Sequence, residues 1–510
     1  MHGDRGRWWV WLVAVPPLVV AALVSLLGSD VPYTDAWDLL AILLEAKAGT
    51  LTFADYWAYH GPHRFVLPKI ILTHVALATE WNVRVQLLVN VAIACMTLAA
   101  VGAIAARQRA APGLGLALVG SSLAIFSLSQ HDNWLWGWHI GYVLTIALVV
   151  GAVAVLVQRG WPFPARVAIA AILCILATFS IGFGAASWLA LAPLVALEAP
   201  SRHRALAVWT AVMLGTIALY PLGGLPTLHS IPGEGGPADI ALFFITLAGS
   251  QWTSDAAAAL PLGAVSLALF AFVAVRAARL ELRAAMPWIG IALFALGFAA
   301  MTTLARARLG WSLAESTRYA TPMLLLTVAT LHLARFLDVP RARRAIPAVL
   351  VGLLVFADLA FLPVFRDVAA VRRVNRICND LFFLVPQERA ACIPASHLHP
   401  RLEAQLVRAR ELGIRPFADA TWFSGGTVDA PSPPRVVRTA GGLTIAGTTE
   451  RSLLPQPILV TGGTQREPVT LVWPEEDGSW RVRIRGAAPA APLEIWTVPG
   501  HEKRLIRIGG

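Results

Sequence analysis

Residues 32–69 read PYTDAWDLLAILLEAKAGTLTFADYWAYHGPHRFVLPK, a polar stretch dense in Asp, His, Arg and aromatic residues between two runs apolar enough to span a bilayer. A polar loop placed so early puts the chain's chemistry at a membrane surface. Thr34 is an N-cap residue by type, and Asp35 then falls in the first helical turn, where its charge suits the helix dipole. Leu39, Leu40, Leu43 and Leu44 share a helical face opposite Asp38 and Glu45, the pattern of a helix lying along a membrane rather than crossing it. After the Gly49 break come Asp55, Tyr56, Trp57, His60, His63 and Arg64, and Pro68 is read as closing the polar segment before the apolar pattern resumes. The first outer loop is taken as residues 28–83.

Composition agrees with that reading. Of the 510 residues, 57% are hydrophobic and 14% charged, with a mean hydropathy of +0.65, which excludes a string of soluble domains and leaves a polytopic α-helical membrane protein. The net charge of +11 does not indicate a nucleic-acid partner, because the arginines come in short clusters between apolar runs, as topology determinants do. The run 8–27 has no small-residue cleavage pattern and reads as a retained first span. Arg5 and Arg7 precede it, which assigns the N-terminus to the cytoplasm and the first loop to the outside. Further spans are read at 85–105, 114–128, 140–157, 167–179, 185–197, 206–220, 257–275, 285–304, 320–333 and 345–365, about eleven in all. The apolar piece 240–247 is too short to cross alone. Most basic clusters fall on the inner side, whereas Arg64, Arg84, Arg306, Arg308 and Arg318 fall on the outer side and ask for a partner.

Residues 1–365 form the membrane part. Beyond them, 366–430 read as an extracytoplasmic helical segment and 431–510, after the PSPP linker, as a small β-rich module of short alternating runs, an α+β or all-β tail. Cys378 and Cys392 both lie in this outer region and are expected to pair, closing a loop worth roughly 3 kcal/mol. Cys95 and Cys174 lie in spans as packing residues.

Four outer segments carry the candidate chemistry: Asp35 with Asp38, Asp132 in QHDNWLWGWH (130–139), the hairpin SIGFG (180–184), and ARARLGWSLAESTRY (305–319) with Arg306, Arg308, Arg318 and Tyr319. In one bundle they line a single outer cavity. Carboxylates facing guanidinium groups suit an acceptor hydroxyl meeting a phosphate-linked leaving group, the acid taking the proton and arginine holding the phosphate. Each has a plainer reading. Asp35 is also a helix-capping acid, Asp132 a loop aspartate, and Trp134, Trp136 and Trp138 an interfacial anchor as readily as a sugar platform. His60 and His63 are half a metal site or two solvent-facing histidines, and Arg306 and Arg308 also snorkel to headgroups.

The first outer loop with Asp35, the outer acid Asp132, the short hairpin of the fifth and sixth spans, and STRY (316–319) together resemble the GT-C class of polytopic glycosyltransferases. The likeness is to the bacterial relatives of dolichyl-phosphate mannosyltransferases and lipid A aminoarabinose transferases. It covers roughly residues 8–365. It implies transfer of a sugar from a polyprenyl-phosphate donor, at the bacterial inner (plasma) membrane, to an extracytoplasmic glycan, lipid or protein acceptor. In that frame Asp35 and Asp132 are catalytic, and Arg318, Tyr319, Arg64, His63, Arg306, Arg308 and Trp134 bind substrate or its phosphate. Many relatives pair two acids in the first loop, whereas Ala36 and Trp37 follow Asp35 here, so a divalent metal is left open and no ligand set is assigned to one. The other reading is a non-catalytic transporter or scaffold subunit of envelope polysaccharide assembly.

Overall fold

The computed structural model describes residues 8–108, 112–224, 236–381, 402–414 and, in the tail, 423–429, 432–439, 442–448, 458–462, 467–472, 474–475, 477–485, 493–497 and 505–509. Its helices are α1 (Trp8–Leu27), α2 (Asp38–Ala48), α3 (Phe53–Trp57), α4 (Val66–Ala78), α5 (Val83–Ala106), α6 (Leu114–Ile125), α7 (His131–Leu135) and α8 (Ile140–Leu156). They continue with α9 (Phe163–Thr178), α10 (Ala186–Glu198), α11 (Arg202–Leu219), α12 (Pro237–Gly249), α13 (Ala256–Arg306), α14 (Ala320–Leu333), α15 (Pro340–Leu381) and α16 (Leu402–Glu411). Among the described residues, six helical stretches are long and apolar enough to cross a membrane: Trp9–Leu27, Val83–Ala106, Leu114–Leu135, Gly137–Leu156, Ala256–Leu309 and Pro340–Arg372. The chain is a helical membrane protein. In α13, 51 residues long, the backbone leaves helical geometry at Glu281 (φ −145, ψ 62). That break sits in the basic stretch holding Arg276, Arg279 and Arg283, so two apolar helices meet there, at the positions read as separate spans.

The chain divides into two compact units. The first comprises Met1–Leu26, Leu51–His74 and Val85–Phe365. At its centre is α14, every residue of which is buried, as expected of a helix apolar on all sides; it packs on α13, α6, α12 and α8. Helix α12 lies unusually close to α13. A Cβ on Gly249 would stand 1.8 Å from the Ala259 carbonyl oxygen, and one on Gly263 1.8 Å from that of Ile245, so only hydrogen fits at either position. Both α12 and α13 also pack against the 3-10 turns Ala307–Leu309 and Trp311–Glu315.

The second unit comprises Leu27–Thr50, Val75–Arg84 and Arg366–Gly510. Within it, Leu39, Leu40, Ile42 and Leu43 of α2 are buried, and α16 of the tail packs against this helix. Trp37 meets Trp81 edge to face at 5.8 Å, and Asp30 Oδ1 accepts from the Val83 N–H at 2.8 Å. Arg84, expected to need an anion, donates to the Gly28 carbonyl at 2.8 Å.

The tail holds two sheets. Strands β3 (Phe423–Asp429), β10 (Leu505–Gly509), β9 (Leu493–Thr497), β6 (Ile458–Gly462) and β7 (Glu467–Val472) form one, in that order; β4 (Ser432–Thr439), β5 (Gly442–Thr448) and β8 (Ser479–Arg485) form the other. Their shared core is Leu443, Ile445, Ile458, Val460, Trp480 and Val482.

Three local expectations are corrected. Thr34 is no N-cap: it sits at φ +43 in the 3-10 turn Thr34–Trp37, its buried hydroxyl making no hydrogen bond among the described residues, and α2 starts later, at Asp38. Pro68 closes no loop; it lies in the first turn of α4, where a missing N–H costs nothing. The PSPP segment is no linker either, since Ser432 to Pro434 open β4, an edge strand with an irregular register between Ser432 and Arg435, which tolerates proline. The β-module therefore begins upstream of it, at Phe423. Cys392, and with it the expected bridge to Cys378, lies outside the described residues.

Candidate functional site

In the first unit, two of the four candidate segments are stitched together residue by residue. The 3-10 turn Leu128–Gln130 leads directly into α7. From it Asp132 Oδ2 accepts a hydrogen bond from Thr317 Oγ1 at 2.7 Å, and Asn133 Nδ2 donates to the Arg318 carbonyl at 3.2 Å. Asn133 also donates to Thr321 Oγ1, whose hydroxyl in turn donates to Gln130 Oε1. The segment 130–133 thus fixes the backbone of 317–321.

Arg318 is held half-buried, its guanidinium 5.1 Å from the ring centre of the buried Tyr319, and Tyr319 packs on Phe298 at 6.0 Å. Burial opposes the positive charge, but Tyr319, Tyr142 and Asp132 together outweigh it and hold the pKa above the ordinary arginine value. Nε of Arg318 is buried and makes no hydrogen bond among the described residues. A fixed guanidinium with donor capacity to spare is what an incoming anion requires.

The hairpin of α9 and α10 joins the same region. Phe183 lies 5.3 Å from Tyr142 and 4.7 Å from Phe298, while a Cβ on Gly182 would come within 2.8 Å of His63 Nδ1 and 3.2 Å of the Tyr220 hydroxyl. His63 belongs to the short ladder of β1 (Tyr59–His60) and β2 (His63–Arg64), in which it pairs with His60. Burial first, then the charges of His60 and Arg306, push its pKa down to about 4, so the ring is neutral at pH 7. Trp138 Nε1 donates to His60 Nε2 at 3.1 Å. Arg306 is half-buried and Arg308 exposed.

Two expected binding residues are spent elsewhere. Arg64 is 1% exposed: Nε donates to the Tyr220 carbonyl at 2.9 Å, the two terminal nitrogens donate to the Trp57 and Leu222 carbonyls, and the group stacks over Tyr59 at 3.6 Å. It is a clamp on the loop, with its fork filled by backbone. Trp134 is fully buried, parallel to Phe126 at 5.9 Å and donating to the Ser127 carbonyl at 2.9 Å, so no sugar reaches its face. Asp55 likewise caps α3, accepting from Thr52 N at 2.7 Å and Thr52 Oγ1 at 2.8 Å, bonds that hold its pKa below the usual carboxylate value.

Asp35 and Asp38 belong to the second unit and are exposed. Asp35 directly follows the strained Thr34, and a β-branched residue at positive φ costs of order 1–3 kcal/mol, strain that clusters at functional positions. One residue was missed. Asp358, in the apolar middle of α15, accepts from Ser127 Oγ at 2.8 Å and from Leu128 N at 2.9 Å. It thereby caps the turn that presents Gln130, Asp132 and Asn133. Its signal in the sequence is a lone acid inside a span.

Among the described residues, no three His, Cys, Asp or Glu stand together to hold a metal ion, and no step is routed through one. No family model, curated protein or solved structure matches the chain.

Proposed function

We propose that the protein is an integral-membrane glycosyltransferase that moves a sugar from a polyprenyl-phosphate donor to an extracytoplasmic glycan, lipid or protein acceptor. The observation that carries this reading is the Asp132–Thr317–Arg318 unit, a half-buried guanidinium whose Nε makes no hydrogen bond among the described residues, in a segment that the Asp132 carboxylate fastens through Thr317. In this reading Arg318 binds the donor phosphate and takes up its charge as the bond from sugar C1 to the phosphate oxygen breaks. The acceptor oxygen forms the new bond to C1, its proton passes to a carboxylate base, the role that the sequence reading gives to Asp35, and the leaving electron pair stays on the phosphate. Asp132 holds the Arg318 segment in register. The reading includes about eleven spans, a cytoplasmic N-terminus, an extracytoplasmic tail and a place in the bacterial inner membrane.

The test is sugar transfer in membranes supplied with a panel of polyprenyl-phosphate sugars, each variant first checked for folding. Asp35→Asn should lower the rate by about 10² to 10⁴ while donor binding survives. Arg318→Ala should weaken donor binding by roughly 1.5 to 3 kcal/mol, with Asp132→Asn between the two. Full activity in Asp35→Asn removes it as the base, and unchanged donor affinity in Arg318→Ala removes the phosphate site.

Asp358 favours a second reading, transport, because acids within spans mark translocation paths. Loss of substrate flux in proteoliposomes on Asp358→Asn, with no sugar transfer by the unaltered protein, would select transport over catalysis.

A further inference from the structure

We propose that the outward face of the β4–β5–β8 sheet, where arginines flank a central strand of small residues, docks an extended, negatively charged polysaccharide. The register defines that face. Arg435 pairs with Ala446 and Ala446 with Arg481; Val437 pairs with Thr444 and Thr444 with Arg483; Gly442 pairs with Arg485. The intervening residues Leu443, Ile445, Trp480 and Val482 point the other way, into the core shared with β6. Side chains alternate along a strand, so Arg435, Arg481 and Arg483 turn outward, and all three are exposed.

The floor between them is shallow, since β5 contributes only Gly442, Thr444, Ala446 and Thr448 to this face. The result is a trough whose β8 wall carries Arg481 and Arg483 and whose β4 wall carries Arg435 beside the exposed Val437. Arg481 and Arg483 stand about 6.6–6.8 Å apart along one strand, a row suited to charges repeated along a chain. Thr444, Thr448 and Ser479 line the same face with hydroxyls. No acidic residue occupies any outward position of the three strands, and Arg435, Arg481 and Arg483 form no ion pair among the described residues. Glu475 and Asp477 belong to the turn before β8, where Asp477 accepts from the Ser479 N–H at 2.8 Å.

Charge complementarity calls for a polyanion, and shape selects among polyanions. A single-stranded nucleic acid held by stacking needs aromatic side chains under its bases, and this face has none. A lipid surface is a plane of headgroups, which meets the rims of a trough and leaves its hydroxyl-lined floor unused. A uronic-acid chain fills the trough, its carboxylates on the arginines and its hydroxyls on the threonines.

The experiment titrates full-length protein in neutral detergent with polygalacturonate, with neutral dextran of similar length as the comparison. Polygalacturonate should bind and dextran should not, with affinity falling as salt is added. Arg481→Gln with Arg483→Gln should weaken binding at least tenfold, and Arg435→Gln several-fold, with the near-ultraviolet signal of Trp480 unchanged. Arg202→Gln with Arg204→Gln, charges elsewhere on the chain, should leave it unaltered. Equal binding by the β8 double variant overturns the proposal, as does equal loss in the Arg202 and Arg204 control. It also falls if phosphatidylglycerol vesicles, and not polygalacturonate, are the probe whose binding depends on these arginines.

Discussion

Arg64 offers the sharpest separation between a substrate ligand and a structural clamp. Its guanidinium donates to three backbone carbonyls, of Trp57, Tyr220 and Leu222, and covers the ring of Tyr59 at 3.6 Å. Arg64→Met keeps much of the volume and removes every donor. The Trp57 carbonyl then loses this donor, while the Tyr220 and Leu222 carbonyls keep Tyr59 Oη and Trp57 Nε1; with three charge-assisted bonds gone at about 1–3 kcal/mol each before relaxation, a net cost of about 3 kcal/mol follows. At roughly 2–4 °C per kcal/mol for chains of a few hundred residues, the melting temperature should fall by about 10 °C. Arg64→Lys restores the charge but cannot reach three carbonyls in different directions, so it should recover under half of the loss. The assay is thermal unfolding of purified protein in detergent, followed by tryptophan fluorescence, with donor affinity measured on the same samples. An Arg64→Met protein that melts like the wild type while binding donor more weakly would refute the clamp and return Arg64 to the phosphate.

The pKa of His63, about 4 when folded against an ordinary 6.5, gives a pH dependence of known sign. Below pH 6.5 the unfolded chain takes up a proton that the folded one refuses, so stability should fall as pH drops from 6.5 towards 4, by up to about 3 kcal/mol, and His63→Gln should flatten that slope in denaturation at stepped pH. Gly182→Ala places a methyl group 2.8 Å from His63 Nδ1 and should cost about 1–3 kcal/mol; melting unchanged from wild type would show the hairpin to be looser than described. Asp358→Ala leaves the Ser127 hydroxyl and Leu128 N–H without their acceptor and should cost about 2–3 kcal/mol, while Asp358→Asn keeps a carbonyl there and should lose less; a reversed order of melting temperatures would remove the capping role.

Much of the helical layout is legible in the sequence because long apolar runs bounded by arginine have few other solutions in a bilayer. The helices begin and end close to the expected residues at 140–157, 185–197 and 320–333, and the basic stretch between 275 and 285 coincides with the break at Glu281. Helix α4 was not legible, because Pro68 reads as a stop unless one knows that the helix has only just begun. Side-chain roles were harder still. Residue type identifies Arg64 as a cation and Trp134 as a flat aromatic, but whether a carbonyl or a ligand meets them depends on residues such as Tyr220, distant in sequence, which no local pattern reveals. The pairing of Asp132 with Thr317 was legible only as a shared side of the membrane; the bond itself depends on how α6 and α14 pack.

The two-glycine crossing of α12 and α13 sets a mechanical reference for the loop that carries Arg318. With backbone atoms in direct apposition at Gly249 and Gly263 there is no side chain whose rotation can absorb a change, so the depth of α12 is fixed as a machined shoulder fixes a part. The turns of 307–315 rest on that shoulder. A side chain at either glycine would therefore displace α12 and, with it, the seat of those turns.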